Sequence, residues 1–347
     1  MISAFRTEQL RSFSEHLQMR CFERVLHFRS PAKTSRGALT ERRIIIIAAD
    51  TPAGTGYGEC CAMPGLLPEP TLPEVQHWCN KAELAHGLPH ELAPSPIQFG
   101  LECALTAALR PGSPRWDSAF SSGIQGIPIH HLIWMANTET MLQKMREGIH
   151  AGFRCLKLKI GALPFAQELS MLQQAHAAFP EAEIRVDANG AFSPHEARAI
   201  LPQLADAGVH SIEQPIATGQ WAELASLCKD SPLPIALDEE LIFNASSTTA
   251  RARMLDAVCP HALVIKPSLH GGLAAAQDWA QLAQERNIHW WINSALESNI
   301  GRTALAEWCG SVAPGKLQAL GTGALFTDDP PGNLRLEGNS LFYRVSS

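Results

Sequence analysis

Five charged residues stand at the C-terminal ends of short apolar runs: Lys159 in "CLKLK", Asp187 in "IRVD", Glu213 in "VHSIE", Asp238 in "PIALD" and Lys266 in "LVIK". From each to the next is 28, 26, 25 and 28 residues, and Ser294 of "HWWINS" follows 28 after Lys266. Three carboxylates brought to one rim without a protein cation between them would repel by several kcal/mol, and a hard divalent cation relieves that. All-oxygen ligands favour Mg²⁺, with Mn²⁺ as a substitute, over zinc. Lys159 and Lys266 flank the acids in the sequence, so the metal is expected between two ammonium groups. A single acid after a strand is commonly the cap of the next helix. That role is filled elsewhere for Asp187, because Ser193 caps the helix that follows.

The elements that would carry these residues are legible from periodicity. In "RCLKLKIGA", Leu156, Leu158 and Ile160 alternate with Lys157 and Lys159, as in a strand with one apolar face and one polar face. The two lysines then share a face about 7 Å apart. Strand candidates lie at 127–134, 155–160, 184–188, 209–213, 234–238, 263–266, 289–294 and 318–321, and a recurrence near 26 residues is one βα unit. "SPHEARAILPQLADAG" supplies a helix between two of them, with Ser193 and Glu196 as a capping box, Pro194 at its first turn and Gly208 past its end. Its internal Pro202 predicts a kink or a boundary. The fold class is therefore α/β, a modified TIM-type parallel (β/α) barrel with its chemistry at the C-terminal strand ends. An open doubly wound sheet is the alternative, but no dinucleotide-type glycine loop supports it.

Ahead of the barrel, "CFERVLHF", "RRIIIIAAD" and "GYGECCAM" read as strands, and 72–85 and 96–109 read as helices, an α+β unit. "RPGSPRWDSAFSSG" (110–123) is the expected linker. The expected division is a capping domain with linker (1–123), the barrel (124–321) and a C-terminal tail returning to the cap (322–347). In that tail "NLRLEGNSLFYRV" predicts a hairpin around Gly338 and Asn339.

Bulk properties exclude several function classes. The chain has 347 residues, 46% hydrophobic and 18% charged, enough for a sizeable core. A net charge of −6 without a basic cluster argues against nucleic acid as a partner. The longest apolar run, Ile44 to Ala49, is far too short for a membrane span, and the charged start lacks a signal-peptide core, so a cytoplasmic protein is expected. Nine cysteines without a CxxC spacing suggest reduced, structural thiols. Of the adjacent His130 and His131, at most one can face the barrel interior. Cys155 has the parity of the lysines one layer deeper and is read as barrel filler.

"KLKIG", "RVDANGAF", "SIEQP", "ALDEEL", "VIKPS" with "GGL", and "SALESNIG" together resemble the enolase superfamily, in its lysine-based branch of muconate cycloisomerases, dipeptide epimerases and o-succinylbenzoate synthases. "PAKTSRG", "GYGECCAMPGL" and "GTGALF" look most like the last of these. The resemblance implies that Asp187, Glu213 and Asp238 hold Mg²⁺. It makes Lys159 the acid/base residue with Lys266 opposite, while Lys157, Asn189 and Glu239 support them from behind. Arg185, Asn293, Ser294, Gly321, Gly323, Ser35 and Arg36 are the implied substrate contacts. One departure is the His130–His131 pair, where relatives carry a smaller polar residue and a glycine.

The implied reaction is a lyase step of menaquinone formation, the syn loss of water from 2-succinyl-6-hydroxy-2,4-cyclohexadiene-1-carboxylate through an enediolate. Sites of this superfamily pair a Lys or His base with magnesium. Lys159 must be neutral to act as base, and Mg²⁺, Lys157 and Lys266 are expected to lower its pKa from about 10.4 toward about 7 to 8. N-acylamino acid racemisation or dipeptide epimerisation needs the same paired lysines and is the alternative, although "GTGALF" lacks the acidic Asp-x-Asp of epimerases. A non-catalytic binding relic is disfavoured because all five rim residues are present. The expected partner is a small carboxylate substrate, without membrane or nucleic acid, and a homo-oligomer is left open.

Overall fold

The computed structural model describes residues 5, 7–13, 16–34, 37–244, 247–323 and 325–345. Three antiparallel strands come first, β1 (Gln18–Thr34), β2 (Gly37–Thr51) and β3 (Gly54–Cys60), and form one sheet in that order. Helices α1 (Leu72–Leu84) and α2 (Ser95–Ala108) pack on it. The backbone of α2 lies directly on β3: a Cβ at Gly58 would stand 1.9 Å from the Gly100 carbonyl oxygen, so only glycine fits there.

The segment expected as one strand at 127–134 is two, β4 (Ile127–Pro128) and β5 (His131–Ile133). β5 enters the barrel, whereas β4 pairs with the C-terminal hairpin, so the two halves of the run serve different sheets. Alternation follows: α3 (Thr138–His150), β6 (Cys155–Lys159), α4 (Phe165–Ala178), β7 (Glu183–Asp187), α5 (Pro194–Asp206), β8 (Val209–Glu213) and α6 (Trp221–Asp230). It continues with β9 (Ile235–Leu237), α7 (Glu239–Phe243), α8 (Thr248–Val258), β10 (Ala262–Ile265), α9 (Gly272–Glu285), β11 (His289–Ile292) and α10 (Asn299–Val312).

Strands β5 to β11 form a parallel sheet in sequential order. The eighth segment, 318–319, closes it through single bridges, Ile129 with Gln318 on one side and Asn293 with Ala319 on the other. Outward residues such as Leu156, Leu158, Val186 and Ile212 join the helices in one core. Inside the barrel is a small apolar plug of Ala236, Ala262, Val264, Trp291 and Ala319.

Ser193 and Glu196 form the expected capping box on α5, and Gly208 follows with φ 76°. Pro202 lies inside α5 and does not bound it. The tail pairs Phe326 with Phe28 of the cap, and Thr327 N donates to His27 O. It then turns back as β12 (Leu334–Glu337) and β13 (Ser340–Tyr343) around Gly338 and Asn339, and β13 pairs with β4. All nine cysteines are free thiols.

Candidate active site

Because β6 to β8 run in register, Lys159, Asp187 and Glu213 stand side by side at the same level. Asp238 and Lys266 directly follow β9 and β10. Lys159 Nζ donates to Asp187 Oδ2 (2.5 Å) and Asn189 Oδ1 (2.8 Å). Lys157 Nζ donates to Glu213 Oε2 at 2.5 Å and lies 3.1 Å from Asp187 Oδ2. Lys266 Nζ donates to Asp238 Oδ2. Asn189 passes the contact on, its Nδ2 donating to Glu239 Oε1 at 2.8 Å.

Lys157 is thus held between two carboxylates rather than standing as a bare like charge beside Lys159. Burial works against its charge, but Asp187, Glu213 and Asp238 outweigh burial and raise its pKa. Burial would likewise raise Asp187, yet Lys157 and Lys159 hold it well below the usual carboxylate range. Glu213 is pushed well up by burial and by the negative charge of Asp187.

Glu213 Oε1 and Asp238 Oδ1 are buried without a hydrogen-bond partner among the described residues. Orphaned carboxylate oxygens on neighbouring strand ends are the acceptors a hard cation satisfies, so the donor set fits Mg²⁺. As the side chains stand, no three acidic, His or Cys groups among the described residues are gathered closely enough to hold an ion. The lysines occupy the carboxylate faces instead.

A cavity of about 260 Å³ opens over this ring. Lys157, Lys159, Asn189, Glu239 and Lys266 line one side, and His130, Leu132, Trp134, Asn293, Ser294 and Thr322 line the other. Ala38, Leu39, Met63, Pro64 and Leu66 cover it from the cap; the last three fall in "GYGECCAMPGL", and Ala38 and Leu39 directly follow "PAKTSRG", whose Gly37 also lines the cavity. Ser35 and Arg36 lie outside the described residues. Arg185 is one layer deeper, paired with Glu183 (2.5 Å) and stacked over Trp291 (4.3 Å), and does not line the cavity. Thr322 lines it rather than the flanking glycines; Gly321 and Gly323 border a separate cavity with Arg302.

Several supporting residues carried no clear sequence signal. His270 is fully buried, its Nδ1 accepts from Lys266 N, and its Nε2 lies 3.9 Å from Asp238 Oδ1. Burial pushes its pKa down to about 3, so it is neutral. Gln214 Oε1 accepts from Asp238 N and Glu240 N and fixes the turn that carries Asp238. Glu297 accepts from Ser294 Oγ and Ser268 Oγ, both at 2.6 Å. For Gln214 and Glu297 the "SIEQP" and "SALESNIG" motifs were the available signal.

Residues 140–336 match the model of the enolase C-terminal domain-like family. An o-succinylbenzoate synthase of Desulfotalea psychrophila is 39% identical over 91% of this chain and 96% of its own length. Another, from Thermosynechococcus vestitus, is 28% identical over 83% of this chain and 86% of its own. The crystal structure of MenC from Desulfotalea psychrophila superposes with a TM-score of 0.80 at 34% identity, covering 94% of this chain and 99% of that one. Strand-end lysines, carboxylates and overall similarity agree: the chain belongs to the enolase superfamily, on its lysine-based branch, and within it to the o-succinylbenzoate synthase family.

Proposed function

We propose that the chain is a Mg²⁺-dependent lyase, an o-succinylbenzoate synthase that removes water from 2-succinyl-6-hydroxy-2,4-cyclohexadiene-1-carboxylate to give 2-succinylbenzoate. The observation that carries this reading is the ring itself: Lys159 and Lys266 reach one cavity from opposite ends of a row of three buried carboxylates, two of which keep an oxygen without a partner among the described residues.

In this reading Asp187, Glu213 and Asp238 hold Mg²⁺ or Mn²⁺. When bound, the cation supplies fixed positive charge against the substrate carboxylate. Lys159, released from Asp187, takes the proton beside that carboxylate as a neutral amine. The C–O bond to the hydroxyl then breaks, and Lys159 returns the proton to the departing oxygen, so water leaves and the ring becomes aromatic. Lys266 stands across the site as a cation beside the charge that develops. Lys157 bridges Asp187 and Glu213, and Asn189 links Lys159 to Glu239. The cap loops exclude water from above.

The same reading assigns 1–123 to the cap, 124–321 to the barrel and 322–347 to the tail. It puts the enzyme in the cytoplasm, in menaquinone formation, with a small carboxylate as partner. Among the described residues no helix is long and apolar enough to cross a membrane. The test is turnover of the cyclohexadiene carboxylate by the purified protein with Mg²⁺, run beside N-succinyl amino acids. Dehydration of the first is expected. A rate on the N-succinyl amino acids alone would replace this reading with a racemase.

A further inference from the structure

The two sides of the cavity differ in kind. The side made by β6 to β10 is charged, whereas among the described residues the side made by 130–134, β11 and the eighth segment carries no ionisable acid or ammonium group. A substrate with two carboxylates must place one at the reacting carbon, against the ring. Its second, at the end of the succinyl arm, then falls on the neutral side and requires N–H or O–H donors there.

Four polar side chains on that side are at least nine-tenths buried: His130, Asn293, Ser294 and Thr322. Two of them have spent their donors internally. Thr322 Oγ1 donates to Ser294 Oγ (2.8 Å), and Ser294 Oγ donates to Glu297 Oε2 (2.6 Å). The side chains of His130 and Asn293 hydrogen-bond no described residue, and both line the cavity.

Their placement is set by the closure of the barrel. Asn293 pairs with Ala319 on one side, and on the other His130 N donates to Gln318 O while Ile129 pairs with Gln318. His130 and Asn293 therefore flank Ala319 at one level, two strand spacings or about 10 Å apart. Ala319 itself belongs to the apolar plug beneath and does not line the cavity, whereas His130 and Asn293 on either side of it do, so each can present a donor to a ligand group there. Burial, with Lys157 and Arg185 nearby, holds the His130 ring well below its ordinary value. The ring is thus neutral and offers one N–H to an anion.

We infer that His130, with Asn293 facing it across Ala319, binds the second carboxylate of the substrate and makes this chain selective for a succinyl arm. This rests on the proposed dehydration only for the identity of the rest of the substrate.

The test compares binding of 2-succinylbenzoate and 2-butyrylbenzoate, which lacks the terminal carboxylate, to the Mg²⁺-loaded full chain by calorimetry. His130→Phe keeps the ring's bulk and removes its N–H; His130→Gln keeps an N–H. The expected result is that His130→Phe weakens 2-succinylbenzoate about 10- to 100-fold more than it weakens 2-butyrylbenzoate, as for a lost hydrogen bond to a charged group. His130→Gln should recover most of that difference. Equal loss for both ligands, or no loss for either, overturns the proposal. Wild-type dehydration of the cyclohexadiene reports separately on the reaction. If the wild type instead racemises N-succinyl amino acids, the same comparison is made with N-succinyl against N-butyryl amino acids, and the same split is required.

Discussion

At the strand ends, Asp187, Glu213 and Asp238 lie against Lys157, Lys159 and Lys266; at the seam between cap and barrel, Glu59 and Glu102 lie against backbone N–H groups. Glu59, on β3, accepts from Ser298 N and Gly301 N at the start of α10. Glu102, on α2, accepts from Leu273 N and Ala274 N at the start of α9. Both sets are buried. The seam glutamates satisfy donors that each helix leaves unpaired, in geometry fixed by the backbone. The ring carboxylates depend on long, reorientable ammonium groups and leave Glu213 Oε1 and Asp238 Oδ1 with no hydrogen-bond partner among the described residues. Buried acid closed off by backbone holds the fold together, while buried acid with replaceable partners is what the proposed function needs for binding a metal.

Substitutions can break that contrast, and the largest effect belongs to the ring. Glu213→Gln removes a carboxylate that an amide cannot replace toward a cation, and turnover should fall at least about 10³-fold while the far-ultraviolet spectrum stays native. Chelation of the wild type with EDTA should do the same, and added Mg²⁺ should restore the rate. Lys266→Ala, which removes a cation beside developing charge, should cost about 10²- to 10³-fold in kcat with a smaller change in KM. A steady-state comparison of kcat and KM checks this.

At the seam the effect falls on stability instead. Burial raises the carboxyls of Glu59 and Glu102 from 4.5 to about 7. Between those values the folded protein keeps protons that the unfolded chain has released. The stabilising contribution is therefore complete below about 4.5 and is lost as pH rises through about 7. Each group's share is on the order of 3 kcal/mol. Urea unfolding from pH 4.5 to 8 should show the wild type losing stability relative to Glu59→Gln as pH rises, with the variant's kcat at pH 8 close to normal. The smallest effect is Ser193→Ala. It removes the α5 cap, which does not line the cavity, and should lower stability by about 1 kcal/mol with turnover unchanged, read by thermal melting and a rate assay.

The ring was legible in the sequence because each member ends a strand and the strands recur at one period. The α5 cap was legible because its donors and acceptors lie within four residues. The seam was not: Glu59 meets a helix 239 residues away and Glu102 one 171 residues away, and no local pattern encodes such pairs. Residues 127–134 read as one strand since alternation is blind to partners, and the break between β4 and β5 appears only once β13 claims Ile127 and Pro128. The neutral side of the cavity was half visible. Asn293 and Ser294 fall on the strand period, but His130 lies between the short strands β4 and β5, where the barrel closes through single bridges that no period encodes. The repulsion expected between Lys157 and Lys159 is replaced by pairing with Asp187 and Glu213, because parity gives a shared face without the carboxylates that fill it.

The central claim is that Lys159 moves the proton. Its most direct test is product formation from the cyclohexadiene carboxylate by Lys159→Ala with Mg²⁺, after calorimetry has shown that the variant still binds the metal and melts cooperatively. The account predicts no turnover above background. Dehydration within tenfold of the wild-type rate would contradict it.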